Sequence, residues 1–457
     1  MNFEHFMAWS ILFMVLALIA SGKSRMDLAA LGGLIILGLA GIAPPQVIFS
    51  GFGHPALATI IAVFLVSQGI VDSKLLRGLG QTLAGKLHTL HAQVLSIAAV
   101  GSFLSAFMNN VGAVGLMLPT AVRMARRFGT LPGSFGLPLA MTSILGGTVT
   151  LIGSAPNIII ASFMHSAAGH SFKMFDFAPH GLAMLAVTFI LLAVCRSCGF
   201  DPGSDLTSRN NKTKTSKDTK PDIQTDPCNH DNDSKACDEP NNLSAHEKTS
   251  DDLEEKIIFS PFSSPHKQIT LIIMLAAVSA VSLGLIHPAY GFGSAAILLI
   301  AGKILSPHSA YKNIDLKIVF FLGSMLGIGQ TLEHSGGLDL LSTALADYTK
   351  GLEPFWLILV IIIVSSILSN AINNAAAAVF MAPLAIAIAA EGNLTTAAAL
   401  MATAAGSNLT LLLPTHQATL MVMSKAPFPV GSFLRFGLIV SFFCIIIAAA
   451  VITAVWQ

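Results

Sequence analysis

Two short stretches decide how this chain folds: NNVGAVGLMLP at residues 109–119 and NNAAAAVFMAP at residues 373–383. In each, an asparagine pair interrupts an apolar segment, and a proline follows the pair at the same distance. The surrounding apolar segments, about 92–122 and about 354–388, are each long enough for two short helices. Asparagine tolerates unusual backbone angles and both donates and accepts hydrogen bonds, which suits a helical hairpin tip. The sequence therefore predicts two helical hairpins with asparagine pairs at their tips.

A second pair of motifs lies downstream of the hairpins. GSAPN at residues 153–157 and LPTHQ at residues 413–417 each interrupt a long apolar span. The order of asparagine pair, proline and broken span thus occurs twice, which predicts an internal repeat. In hydrocarbon, interrupted helices persist only where they are buried or line a cavity. Repeats with broken helices are typical of secondary transporters, which bind substrate near the membrane midplane.

Composition predicts that most of the chain lies in a membrane. Its 457 residues have a mean hydropathy of +0.72, and 11% are charged, less than half of the roughly 25% usual in soluble domains. This composition excludes a soluble enzyme, a nucleic-acid binder and a disordered scaffold. Apart from the hairpins, ten apolar segments could cross a bilayer, near 7–21, 27–43, 54–72, 135–165, 177–198, 267–286, 290–306, 318–334, 394–424 and 432–455.

Basic residues indicate the orientation. When both hairpins re-enter on the side that they left and the ten segments cross, 14 of 16 basic residues in the apolar parts fall on one side. Only Lys173 and Lys350 fall on the other side. The basic side is predicted to be cytoplasmic, which places the N-terminus outside. Each half then has five crossings, an odd number, so the second half is predicted to be inverted relative to the first.

The remaining charge is concentrated in residues 201–267, which hold 23 of the 49 charged side chains. This stretch cannot bury enough apolar surface to fold, and we expect a disordered cytoplasmic linker. It would join a first membrane repeat, residues 1–200, to a second, residues 268–457. The predicted fold class is an all-α polytopic membrane protein with two inverted repeats of five crossings, each with a re-entrant helical hairpin and a broken helix.

Polar groups inside the apolar spans form the candidate site. Free N–H groups at helix starts attract an anion, and free carbonyls at helix ends attract a cation. Two hairpin tips facing two broken helices would give one anion site flanked by cation sites. The candidates are Asn109, Asn110, Asn373, Asn374, Gly153, Ser154, Pro156, Asn157, Thr415, His416 and Gln417. For His416, the sequence leaves open whether it coordinates the anion, carries a proton or donates to a carbonyl.

These motifs, in the same order in both halves, resemble the divalent anion:sodium symporter (DASS) family of the ion transporter superfamily. The resemblance implies a homodimer, an elevator-like movement of the hairpin domain, and sodium without an organic cofactor. It implies sodium ligands at Ser105, Asn109, Asn110 and Gly153 in the first half, and at Ser369, Asn373, Asn374 and the Leu413 carbonyl in the second. The anion would lie between Asn110 and Asn374, near Ser154 and Thr415, with His416 as a further candidate ligand.

The hairpin tips depart from the resemblance in one respect. Dicarboxylate carriers of that family have Ser-Asn-Thr at both tips, whereas this chain has Asn109-Asn110-Val111 and Asn373-Asn374-Ala375. Two hydroxyl donors are therefore missing at the tips. Sulfate or another inorganic oxyanion is then at least as well supported as a C4-dicarboxylate.

The sequence thus predicts a multi-pass inner-membrane transporter, not an enzyme, that imports sulfate or a small dicarboxylate with sodium. One alternative is an arsenite or Na⁺/H⁺ exchanger of the same superfamily, which an intramembrane pair of acidic residues would favour. Beyond His416, no titratable group stands out inside the spans. Another alternative is an anion sensor that does not transport. No paired Asp, Ser–His pair or H-E-x-x-H motif supports an intramembrane protease.

Overall fold

The computed structural model describes residues 3–21, 24–73, 89–197, 265–312, 314–336 and 351–457, and these residues are helical, without strands. The helices before the polar stretch are α1 (Phe3–Ala20), α2 (Met26–Leu39), α3 (Pro45–Ile48), α4 (Pro55–Asp72), α5 (Leu90–Phe107), α6 (Asn110–Arg127), α7 (Gly133–Gly146), α8 (Ala155–Ala168) and α9 (Ala178–Ser197). Those after it are α10 (Pro265–Ser282), α11 (Pro288–Ala301), α12 (Pro307–Lys312), α13 (Leu316–His334), α14 (Pro354–Ala371), α15 (Asn374–Glu391), α16 (Thr396–Asn408), α17 (Gln417–Lys425) and α18 (Val430–Trp456).

Both hairpins form, with their turns at the asparagine pairs. α5 and α6 are joined by Met108 and Asn109, and α14 and α15 are joined by Ile372 and Asn373. Each of the four helices has 18 residues, a length of about 27 Å. Within each hairpin the two helices pack against each other.

Both broken spans form as well. α7 is separated from α8 by residues 147–154, and α16 is separated from α17 by residues 409–416, so both breaks have the same length. Ser154 and His416 occupy the same position, immediately before the second helix. When the two breaks are aligned by the starts of α8 and α17, GSAPN therefore corresponds to THQAT at residues 415–419. That segment begins two residues after LPTHQ, the segment matched by sequence.

Hairpins and broken helices pack together across the two halves. α5 packs along α7 and α14 along α16, while α15 contacts α8 and α17 contacts α6. The backbones approach closely at two glycines. A Cβ on Gly146 would lie 2.3 Å from the Ser102 carbonyl oxygen, and one on Gly406 would lie 2.5 Å from that of Ile362. This packing brings both hairpin tips and both breaks to one place.

Six helical segments of the described part are long and apolar enough to cross a membrane, including the hairpin helices α5 and α14. Large apolar side chains such as Leu39 and Leu438 are exposed on the outer surface, as expected for contact with lipid. Re-entry of the hairpins, five crossings per half and inversion remain predictions. Of the predicted linker 201–267, only residues 265–267 lie within the described part, in the first turn of α10. The linker and the bounds of the repeats remain predictions too.

Candidate functional site

The asparagine pairs cap the second helix of each hairpin. The Asn109 Oδ1 accepts a hydrogen bond from the Val111 N–H (3.2 Å), and the Asn373 Oδ1 accepts one from the Ala375 N–H (2.8 Å). These are N-cap interactions, which satisfy backbone donors that a helix start leaves free. The next residues, Asn110 and Asn374, are the first residues of α6 and α15. The pair thus ends one helix and starts the next within two residues.

The hairpin tips and the breaks enclose a cavity of about 100 Å³, which is small beside the roughly 300–1,000 Å³ of drug-sized ligand pockets. All five predicted anion ligands line it: Asn110, Ser154, Asn374, Thr415 and His416. The starts of α6, α8, α15 and α17 also line it. Among the described residues that line the cavity, none carries a formal charge. Four helix N-termini, each with partial positive charge, therefore supply its electrostatic field.

Oxygen atoms from the first hairpin and the first break converge next to Gly147. A Cβ built on Gly147 would lie 2.4 Å from the Asn110 Oδ1 and 2.9 Å from the Gly153 carbonyl oxygen, and one on Gly153 would lie 2.6 Å from the Gly147 carbonyl oxygen. The Ser105 Oγ donates to the same Asn110 Oδ1 at 2.6 Å. Hard cations bind oxygen ligands of this kind, amide and backbone carbonyl oxygens, so this cluster of oxygens is the candidate cation site of the first half. Ser105 itself is buried and does not line the cavity.

The predicted sodium ligands of the second half are less well assembled. Asn373, Asn374 and Ser369 line the cavity. However, the oxygens of Asn373 and Asn374 both accept from the Ala375 N–H, and the Ser369 Oγ donates to the Ser407 carbonyl at 2.5 Å. Leu413 is 44% exposed and does not line the cavity. The structure therefore does not bring these four residues together as it does the oxygens around Gly147.

Asn370, which was not among the predicted site residues, lies beside the second break, as the oxygens around Gly147 lie beside the first. Its amide nitrogen donates to the Leu409 carbonyl (2.9 Å) and the Ser366 carbonyl (2.8 Å). Its amide oxygen accepts from the backbone N–H groups of Leu412 (3.0 Å) and Leu413 (3.1 Å). A side-chain amide thus satisfies backbone groups of the second break that a cation or water would otherwise have to satisfy. The signal in the sequence is a third asparagine, one helical turn before the pair.

Two further buried asparagines join the broken helices. The Asn157 amide nitrogen donates to the Thr150 carbonyl at 2.8 Å and lies near the carbonyls of Gly147 and Thr148. Its oxygen accepts from the amide nitrogen of Asn408 at 2.9 Å. Asn157 was a candidate ligand, but it does not line the cavity. It holds the first break in shape and connects α8 to the end of α16.

His416 has its ring orientation and tautomer fixed by the backbone. The Nδ1 accepts from the Ala418 N–H at 3.1 Å, and His54 and His287 cap α4 and α11 in the same way, both at 3.2 Å. A neutral ring that accepts at Nδ1 carries its proton on Nε2. The His416 Nε2 lies 3.5 Å from the side-chain nitrogen of Asn374. The amide is oriented with its nitrogen toward Nε2 because its oxygen accepts from the backbone N–H of Ala375. Two donors therefore face each other at the cavity.

The fold defines a class, a helical polytopic membrane protein, and its match to a transporter family makes it a transporter and not an enzyme. Residues 16–406 match the family described as Citrate transporter (CitMHS), and the chain belongs to this family. The match covers the first hairpin, both halves of the first broken helix, the second hairpin and most of α16.

Curated relatives resemble parts of the chain. The transporter YfbS of Escherichia coli (strain K12) is 30% identical over 199 residues, 43% of this chain and 32% of that protein. Sodium/sulfate cotransporter 1 of Chlamydomonas reinhardtii is 30% identical over 153 residues, 32% of this chain and 17% of that protein. The matched region spans about a third or less of these relatives.

A solved structure supports the fold. The YdaH transporter of Alcanivorax borkumensis, whose crystal structure is described as having an unusual topology, superposes with a TM-score of 0.56. The comparison covers 99% of this chain and 98% of that one at 12% sequence identity. At that identity, the likeness concerns the fold alone.

Proposed function

We propose that this protein is a sodium-coupled symporter that imports a small divalent anion, with sulfate as the first candidate. The observation that carries the proposal is a small cavity, lined by four helix starts and by the facing donors of Asn374 and His416, beside a cluster of oxygens around Gly147. The sodium/sulfate cotransporters among its relatives support the same substrates.

Energetics supports coupling to cations. Moving a dianion into a cell against 100 mV costs about 4.6 kcal/mol, twice the value for one charge. The cavity offers no formal positive charge among the described residues, so bound cations have to supply it. Two sodium ions would cancel the electrical cost, and three would make uptake electrogenic. Location in the inner membrane, a cytoplasmic linker and a homodimer belong to the same proposal.

Competing substrates differ in what they require of the site. Citrate, which the family description names, needs more room than sulfate, and the cavity measures about 100 Å³. A proton-coupled exchanger would need an acidic residue at the site, and the described lining contains none. These considerations support sulfate over citrate and symport over a proton-coupled exchange.

We expect purified protein in proteoliposomes to accumulate radiolabelled sulfate when an inward sodium gradient is imposed. Replacing sodium with choline should reduce uptake to the level of protein-free vesicles. Asn110→Ala and Asn374→Ala should each abolish uptake, because each removes an amide at a hairpin tip. Asn393→Ala, at an exposed asparagine away from the cavity, serves as the matched control. Citrate uptake without sulfate uptake or competition would contradict the substrate, and equal uptake in choline would contradict sodium coupling.

His416→Asn should raise the KM for sulfate about tenfold, because it removes one hydrogen bond to a charged ligand. Asparagine retains an N-cap acceptor for α17, but its side chain is too short to place a donor where the His416 Nε2 lies. His287→Asn is the matched control, since His287 makes the same cap on α11 and lines no part of this cavity. An unchanged KM in His416→Asn would restrict His416 to helix capping.

A further inference from the structure

Two hydroxyl groups at the cavity have no hydrogen-bond partner among the described residues. They belong to Ser154, which is 6% exposed, and Thr410, which is 2% exposed, and both residues line the cavity. A buried hydroxyl without a partner costs free energy, so such a group on a residue that lines a polar cavity is a candidate donor to a ligand there. Ser154 was predicted from its motif, whereas Thr410 was not.

The Thr410 hydroxyl lacks the local hydrogen bond that its counterpart in the first break makes. Its counterpart in the first break is Thr148, since each threonine immediately follows the residue that caps the end of the preceding helix. The Thr148 Oγ1 donates to the carbonyl three residues earlier, that of Leu145, at 2.6 Å. The corresponding carbonyl for Thr410 is that of Ser407, which accepts from the Ser369 Oγ of the second hairpin and not from Thr410.

The Ser154 hydroxyl is free for a related reason. Serine at an N-cap normally accepts from a backbone N–H two or three residues on, but Ser154 makes no such bond. The second residue of α8 is Pro156, which has no N–H to donate. The Ser154 hydroxyl therefore has no bond to the start of α8 and could donate to a ligand bound beside it.

We propose that Thr410, together with Ser154, donates its hydroxyl hydrogen to an oxygen of the bound anion and so sets the preference for a small, fully deprotonated oxyanion. This inference rests on the proposed anion transport. Thr410 belongs to the same break as His416, whose Nε2 faces the Asn374 amide. The two hydroxyls stand in for those missing at Val111 and Ala375 of the hairpin tips. A dianion with only acceptor oxygens can use every one of these donors.

The test compares Thr410→Val, which removes the hydroxyl at nearly constant volume, with Thr410→Ser, which keeps it. In the proteoliposome assay, Thr410→Val should raise the KM for sulfate about ten- to a hundredfold, while the sodium concentration for half-maximal uptake stays the same. Thr410→Ser should stay within about twofold of the wild type. The matched control is Thr403→Val on α16, because that buried hydroxyl is satisfied by the Ala399 carbonyl at 3.0 Å.

A second measurement does not depend on transport. Sulfate should raise the Tm of the purified wild type and of Thr410→Ser, with a smaller shift at the same concentration in Thr410→Val and in Thr410→Ala. Equal KM values and equal Tm shifts in all variants would overturn the role of Thr410. A change in half-maximal sodium with an unchanged sulfate KM would overturn it as well, because the hydroxyl would then be a cation ligand. Absence of sulfate binding and uptake in the wild type would instead contradict the proposed function.

Discussion

Gly147→Ala is expected to weaken sodium binding about 10–100-fold, the range found when groups that orient metal ligands are changed. The added Cβ would lie 2.4 Å from the Asn110 Oδ1 and 2.9 Å from the Gly153 carbonyl oxygen. Both contacts are shorter than a carbon and an oxygen atom allow, and the second involves backbone. The methyl group would therefore displace the Asn110 amide and the Gly153 carbonyl from the arrangement in which we expect them to bind the cation.

The effect should appear first in sodium dependence. The sodium concentration for half-maximal sulfate uptake should rise in Gly147→Ala, and uptake at low sodium should fall to background. Gly293→Ala is the matched control, because no atom lies within 4 Å of its added Cβ and it changes the same residue type within helix α11. Normal sodium dependence in Gly147→Ala would contradict a cation site between Asn110 and Gly153. A sulfate KM that rises while sodium dependence stays normal would make the pocket part of the anion site instead.

The hairpins and breaks could be predicted from the sequence because polar residues inside apolar segments are costly and therefore conspicuous. Asn109, Asn110 and their counterparts stand out for that reason, and the turns form where the pairs lie. The spacing within each break was harder to predict. Motif matching alone could not determine that Ser154 pairs with His416, since that pairing depends on where α8 and α17 begin.

The sequence could not predict a residue whose role depends on which hydrogen bonds its neighbours in the fold already make. Thr410 resembles any threonine next to a helix end, and the sequence does not show that the Ser407 carbonyl is bonded to Ser369 of another helix rather than to Thr410. Likewise, the Leu413 carbonyl was expected to bind sodium by resemblance. In the structure the Leu413 N–H donates to Asn370 and the side chain is exposed, while the role of its carbonyl stays a prediction. Such exchanges of partners arise from tertiary packing and leave no local pattern.

The two halves of the site differ in the chemistry that they offer. Around Gly147, the groups that face each other are oxygens, whereas the Asn374 amide nitrogen and the His416 Nε2 are facing donors. In the second half, the Asn374 Oδ1 accepts from the backbone N–H of Ala375, whereas its counterpart, the Asn110 Oδ1, accepts from the Ser105 hydroxyl and lies beside the Gly147 and Gly153 backbone. We therefore expect the first half to contribute more to cation binding and the second half more to anion binding, although both derive from the same repeated motif.

Asn370→Leu is expected to lower the free energy of unfolding by about 2–6 kcal/mol, four hydrogen bonds at ~0.5–1.5 kcal/mol each. The lower end matches the ~0.6 kcal/mol typical of single side-chain hydrogen bonds within membrane proteins. Three of the four bonds connect α14 to the backbone of Leu409, Leu412 and Leu413, and the fourth goes to the Ser366 carbonyl within α14. Leucine has a similar volume, so the loss would reflect hydrogen bonding rather than a cavity.

The same substitution should abolish uptake even in the fraction that folds, because Asn370 shapes the break that carries Thr410 and His416. The measurements are the Tm of the purified protein and sulfate uptake per folded molecule. Asn393→Leu changes the same residue type at an exposed position and should leave both unchanged. If Asn370→Leu had a normal Tm and normal uptake, the second break would have to be held by other contacts. The nearest are the bonds that Ser366 and Ser369 donate to the Leu409 and Ser407 carbonyls, and these would then be sufficient to position His416.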